Sequence, residues 1–389
     1  MRRLRAGCVN GKLQPVSMWT RRSRALGIVA FAIYAAVAIE VGVRRGSDFE
    51  AELGQSERLL HGSPLFAAVS TRIGLPWPPF SALALTPFAV VARRDLRLSK
   101  ALWAVLSLAC LVWSVCRVPS ERRWAVGWAL AAVAVPLHRN FEDLNINCVL
   151  LALTLAAVVA LDRGREQRAG GWIGVATALK AFPGLLLGYF AYRRRWRTVA
   201  VGAAVAAGLT FGALLPYGLS GAGEGLRDWL TLSAPGNWNW SGESNQSLAA
   251  MAARLHGPPL LLVALDLLCL GAGLMALRRH WTTSGTTLPD VAAVTVVAVL
   301  LSPIAHTHYF LLTFPAWVVV LQHPPAREGR RAWIALRLAV GLATSGVLTV
   351  WSLELRHTLL THSIYTWGAL LLLGLLVLER PGKIAASPP

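Results

Sequence analysis

The chain has 389 residues, 55% of them hydrophobic and only 15% charged, with a mean hydropathy of +0.52. That profile excludes an ordinary soluble domain and describes a membrane protein. A net charge of +19 would suit nucleic acid, but the Lys and Arg residues sit in short clusters between apolar runs, where they read as topology signals at a membrane surface.

Apolar runs recur from residue 25 to residue 379. A bilayer core takes about 20 apolar residues per crossing, and backbone in lipid must satisfy its own hydrogen bonds. The pattern predicts an all-α polytopic membrane protein with about ten to twelve membrane elements. It divides into a cytoplasmic basic segment (1–24), one transmembrane domain (25–380) and a cytoplasmic tail (381–389). Met18, just ahead of TRRSR, is a second candidate start.

The first run is long enough to be an uncleaved anchor rather than a signal peptide, which sends residues 44–78 to the outer face. That loop carries Asp48, Glu50, Glu52 and Glu57. Asp48 reads either as a general base just outside the first span or as a solvated acid offsetting Arg44 and Arg45. Next, SALALTPFAVVA either spans or lies along the interface. In the second case RNFEDLNIN moves outside, and GWIGVATALKAFPGLLLGYFAY becomes a re-entrant hairpin bent at Lys180–Pro183.

Lys180 interrupts an apolar run. A charge at mid-membrane costs about 2.5–3.5 kcal/mol, so it needs a cavity or an anion, and a phosphate is a natural partner; the alternative is a snorkelling or paired lysine. Further on, GNWNWSGESNQSL mixes indoles with amides and hydroxyls, as sugar sites do, although an aromatic belt also explains indoles. SPIAHTHYF brings His306 and His308 to the start of a span. Without a third ligand nearby they are a weak zinc signal and suit phosphate or sugar hydroxyls equally well. The five Cys are scattered and give no disulfide or metal pattern. No Walker loop, GxGxxG after a strand, HExxH or GxSxG is present, so no nucleotide or soluble-cofactor chemistry is expected.

In order along the chain stand SDF, LLHGSPLF, WPPFSALALTPFAVV, NIN, ALKAFPGLLLGYF before RRRWR, NQSL and LSPIAHTHYF. This series resembles glycosyltransferase family 87, polytopic enzymes of the GT-C type, over roughly residues 25–325. The resemblance implies an inverting glycosyltransferase. It would move a hexose, mannose above all, from a polyprenyl-phosphate sugar to a lipid-linked or cell-envelope glycan acceptor on the non-cytoplasmic face. It implies Asp48 as catalytic base. Lys180, His306, His308 and Asn147 would lie at the donor phosphate or sugar, and Asn245, Gln246, Trp238 and Trp240 at the acceptor or sugar. No metal and no cofactor besides the donor substrate are expected. The partners would be membrane lipids, the polyprenyl-phosphate-linked sugar and a glycan or glycolipid acceptor, with no nucleic acid. The location would be the bacterial plasma membrane, with both termini cytoplasmic. The chain departs from the family in carrying Glu50 and Glu52 where aromatic residues usually follow the Asp, and Trp77 where a Tyr usually precedes the prolines. Competing readings are a transporter or flippase of lipid-linked sugars, which also wants a mid-membrane lysine and a broken helix, and a non-catalytic relative.

Overall fold

The computed structural model describes residues 18–66, 77–233, 241–281, 287–322 and 330–378. Among these, every regular element is helical, and the isolated bridge between Asn245 and His306 is the sole β pairing. This is the all-α architecture that the apolar runs call for.

Helix α1 (Met18–Arg44) turns sharply at Gly46, which adopts the left-handed conformation with φ 58°. A side chain there would come within 2.8 Å of the Gly42 carbonyl and 2.9 Å of Leu144, so the corner needs both the freedom and the space of glycine. Helix α2 (Ser47–Leu60) then runs through the first long loop, outside the spans. Phe49 anchors it, stacking on Trp103 at 5.4 Å and meeting Phe88 edge-on at 5.9 Å. Helix α3 (Pro79–Ala92) lies across α2: the Ser56 hydroxyl donates to the Ala82 carbonyl at 2.8 Å, and Arg93 grips Glu57 through two nitrogens at 3.0 and 2.8 Å. Both ends of α3 thus stay at one end of the bundle, and SALALTPFAVVA lies along that surface.

Helix α4 (Leu96–Arg117), N-capped by Asp95, runs to the far end. Helices α5 (Arg123–Ala131) and α6 (Ala134–Glu142) return in two pieces, and α7 (Asn147–Leu161) goes out again. Next come α8 (Glu166–Leu179), a tight turn at Phe182–Gly184, and α9 (Leu185–Tyr192). Pro183 in that turn cannot donate the hydrogen bond that a continuous helix would need. Helix α10 (Trp196–Gly212) packs on α8 in parallel register: a Cβ on Gly174 would sit 2.6 Å from the Gly202 carbonyl, and Gly170 meets Thr198. Small residues allow this close approach. Because α8 and α10 start from the same end, α9 must return to that end, and Arg195 pairs with Glu166 at 3.8 Å across the base. The α8–α9 unit is therefore a re-entrant hairpin with Lys180 at its tip.

Helix α11 (Gly218–Ser233) bends 41° away from α10, and α12 (Leu248–Arg254) follows on the same side. Helices α13 (Pro259–Trp281) and α14 (Leu288–Leu301) go out and back. A turn at Thr307–Thr313 leads into α15 (Phe314–Gln322), followed by α16 (Arg330–Ser345), α17 (Leu353–Thr361) and α18 (Ile364–Leu378). Among the described residues, α4 and α13 are long and apolar enough to cross a bilayer unbroken. Others are shorter or bent, and the motifs carrying Asp48, Lys180 and His308 lie together at one end of the bundle.

Candidate active site

Three helix junctions and the hairpin tip converge at that end. At the first, the α1–α2 corner docks on the α6–α7 corner: Gly46 N–H donates to the Glu142 carbonyl at 2.9 Å, and Asp48 N–H to the Asp143 carbonyl at 3.2 Å. This places Asp48 in the first turn of α2, where the positive end of the helix dipole favours a carboxylate. The opposing corner is held by Leu144, buried and in the left-handed region with φ 50°, whose carbonyl accepts the Trp103 indole N–H at 2.8 Å. Such a backbone costs on the order of 1–3 kcal/mol and persists only where packing enforces it. Its effect is to turn Asp143 and Asn145 toward Asp48.

Asn145 is the bridge of the site. Its Nδ2 donates to Asp48 Oδ2 at 2.6 Å, and its Oδ1 accepts from Lys180 Nζ at 3.2 Å. Lys180 is buried, with its ammonium 3.9 Å from the centre of the Tyr309 ring and 5.2 Å from that of Trp77. Aromatic faces of this kind stabilise a cation that has left water. Beside it lies a mostly apolar cavity of about 580 Å³, walled by Trp77, Phe182, Leu185, Trp229, Leu301 and Tyr309.

His308 lies between two carboxylates. Its Nδ1 is 3.1 Å from Asp143 Oδ2, and its Nε2 is 3.7 Å from Asp48 Oδ2. Burial pushes the Asp143 carboxyl up, but its hydrogen bond with His308, and then the charge of Arg139, more than offset this and hold it below the usual range. An ionised Asp143 can only accept, so the imidazole carries its hydrogen on Nδ1. Nε2 is then left with a lone pair, buried and without a hydrogen-bond partner, facing Asp48. Ligand atoms of Asp48, Asp143 and His308 lie within 4.8 Å of one another, close enough to share a cation. Asp143 occupies His308 Nδ1, which leaves the imidazole Nε2 and the second oxygens of the two carboxylates for such a role.

The remaining expected residues divide sharply. His306 stands beside His308, with ring centres 5.7 Å apart, and its Nδ1 meets the Ser244 carbonyl at 3.1 Å. Asn147 is fully buried and donates to the His308 carbonyl at 3.1 Å, so it positions the histidine from behind. Asn245 and Gln246 differ from the expectation that their amides face a sugar. Asn245 donates to the Pro303 carbonyl and accepts from the Ser247 and Ala305 N–H groups. Gln246 donates to the Glu243 and Leu360 carbonyls and accepts from Tyr365 N–H. Both are engaged with backbone that would otherwise be buried without partners. Trp238 and Trp240 lie outside the described residues.

The outer acids also separate. Glu50 forms an ion pair with the buried Lys100, which also donates to the Arg45 carbonyl at 2.8 Å and so clamps the α1–α2 corner. Glu57 holds Arg93. Asp48 alone of the four reaches the Asn145–His308 cluster, its side chain 31% exposed and thus open to an incoming molecule.

The sequence matches glycosyltransferase family 87 over residues 76–303. That span includes Asn147, Lys180 and Asn245, while the two histidines lie just after it and Asp48 well before it. Similar curated proteins come from mycobacteria. The chain is 29% identical to a polyprenol-phosphate-mannose-dependent alpha-(1-2)-phosphatidylinositol mannoside mannosyltransferase of Mycolicibacterium smegmatis, over 75% of this chain and 72% of that protein. It is 28% identical to the corresponding pentamannoside mannosyltransferase of the same organism, over 79% and 77%. With the phosphatidylinositol mannoside mannosyltransferase of Mycobacterium tuberculosis the identity is 27%, over 78% and 75%. No solved structure matches the chain.

Proposed function

The chain belongs to glycosyltransferase family 87, and on that premise we propose that it transfers a mannosyl group from a polyprenyl-phosphate carrier to a hydroxyl of a lipid-linked mannoside on the non-cytoplasmic face of the plasma membrane. The donor and acceptor classes follow the names of its mycobacterial relatives. The basic clusters at Arg163–Arg168, Arg193–Arg197 and Arg278–Arg279 lie at the end of the bundle away from the site, which favours a cytoplasmic far end.

The single observation that carries the reading is the hydrogen-bonded line Asp48–Asn145–Lys180, with an apolar cavity opening beside the lysine. A polyprenyl phosphate has that polarity: an anion at the end of a long apolar chain. With the phosphate at Lys180, and His306 nearby, the sugar lies between the phosphate and Asp48. The acceptor oxygen attacks the anomeric carbon from the Asp48 side as Asp48 takes its proton. The bond from that carbon to the phosphate oxygen breaks, and its electron pair leaves with the phosphate, whose growing charge the ammonium offsets. One in-line displacement inverts the centre. Asp48 then hands its proton to His308 Nε2, oriented for this by Asp143 through Nδ1.

The test is transfer from polyprenyl-phosphate-mannose to phosphatidylinositol mannosides by purified protein in lipid nanodiscs, with Asp48→Asn as comparison. General-base catalysis contributes about 10²–10⁴-fold, and a loss of that size with intact folding is expected. Undiminished transfer by the variant removes Asp48 as base, and no transfer from any polyprenyl-linked sugar overturns the reading. Abolition of activity by EDTA, reversed by Mn²⁺, would make Asp48 a cation ligand instead.

A further inference from the structure

Glu52 stands four residues beyond Asp48 on α2, the spacing that puts two side chains on one helix face. It is only 6% exposed, and its carboxyl has weak partners: the Trp77 N–H at 3.4 Å and the Ser81 hydroxyl at 3.5 Å. Lys180, also buried, has no carboxylate oxygen within 4.0 Å among the described residues. Trp77 joins the two places: its N–H meets Glu52 at 3.4 Å and its ring lies 5.2 Å from the Lys180 ammonium, so an acid and a base flank one residue in the core and form no ion pair with each other.

The groups facing Glu52 come from each element packed on it. They are Asp48 from its own helix, Lys180 from the hairpin tip, the Tyr309 phenol from the turn after α14, the Trp77 N–H from the segment before α3 and the Ser81 hydroxyl from α3 itself. Burial above all, and the charge of Asp48, push the carboxyl up to about 8, against the Trp77 N–H, Lys180 and the Ser81 hydroxyl, which pull it down.

We propose that Glu52 is a positioning residue for the donor: while protonated it leaves the Lys180 ammonium to the donor phosphate, and once ionised it competes with that phosphate for the same cation. The proposal rests on the assignment of Lys180 to the donor phosphate. Its logic is charge balance in a site that excludes water. One ammonium balances one phosphodiester, and a second carboxylate beside Asp48 leaves the site with excess negative charge, which a low dielectric penalises. Donor binding is therefore linked to retention of the Glu52 proton.

The sign follows directly. Raising the pH through about 8 removes that proton and weakens donor binding, so KM for the donor rises with pH. With full linkage the rise between pH 7 and 9 is about tenfold. In Glu52→Gln the side chain is neutral at every pH, so KM loses the rise that ionisation of Glu52 causes. The experiment is KM and kcat for polyprenyl-phosphate-mannose from pH 6.5 to 9.5, in wild type, Glu52→Gln and Lys180→Met. Thermal unfolding of each variant in the same nanodiscs restricts the comparison to folded protein. A second measurement, calorimetric titration of wild type with polyprenyl phosphate in buffers of different ionisation enthalpy, is expected to show proton uptake between pH 8 and 9.

A wild-type KM that is flat over this range overturns the proposal. So does a Glu52→Gln variant that keeps the wild-type slope, since the titrating group would then be Lys180 itself. The assignment of Lys180 fails separately, by an unchanged donor KM and kcat in Lys180→Met, whatever Glu52 does.

Discussion

At the far end of the bundle, Asp290 on α14 accepts a hydrogen bond from the Tyr189 hydroxyl at 2.8 Å and pairs with Arg193 at 3.7 Å. At the site end, Lys180 touches, among the described residues, an amide oxygen and two aromatic faces, although Asp48 and Glu52 are both close enough to feel its charge. Both clusters contain buried charge of both signs. In the first the charges are joined, which is what stability asks of them. In the second Asn145 stands between acid and base, so each keeps a side free for something else. The contrast separates joined charges from unjoined ones by geometry alone, without appeal to composition.

Substitutions sharpen this contrast. After Asp48→Asn, Lys180→Met has the next largest expected effect: loss of a group that stabilises charge on the departing phosphate costs about 10²–10³-fold in transfer rate, read in the nanodisc assay, with unfolding temperature unchanged or raised because a buried charge is gone. Asp143→Asn comes next. It removes the carboxylate that fixes His308, a charge-assisted hydrogen bond worth about 1.5–3 kcal/mol, and transfer falls by one to two powers of ten. Tyr189→Phe has the smallest effect, about 1 kcal/mol of stability by thermal unfolding, and leaves transfer per folded molecule untouched. A catalytic loss there as large as in Asp143→Asn would erase the distinction between the two ends.

The lysine was legible in the sequence because its signal is local, one charge in an apolar run followed by a proline, whereas the hairpin stood beside a spanning alternative that Lys and Arg counts did not separate. The place of Asp48 after the first span admitted both a base and a solvated flank. What was not legible depends on the direction and depth of individual side chains. Glu50 and Glu52 are two apart on a helix, so they point to opposite sides, one to Lys100 and one to the core. No pattern in that stretch says which side is the protein interior. Likewise the choice between Asn145 and Asn147 hangs on the left-handed turn of Leu144, a conformation that leucine does not announce. Asn245 and Gln246 looked like sugar ligands because they are polar in a polar loop. In the structure their amides hold carbonyls of Pro303 and Leu360, distant positions whose need for partners exists only after folding.

The return of α9 to the end where α8 began bears on how such a chain can vary. A helix that crosses the bilayer fixes the side on which everything after it emerges, so losing one inverts the rest of the molecule. A hairpin that comes back leaves that parity alone. One turn added to each arm would move Lys180 about 5.4 Å deeper or shallower while Asn245, His306 and both termini kept their sides. The depth at which the ammonium meets its anion is thus free to change independently of topology.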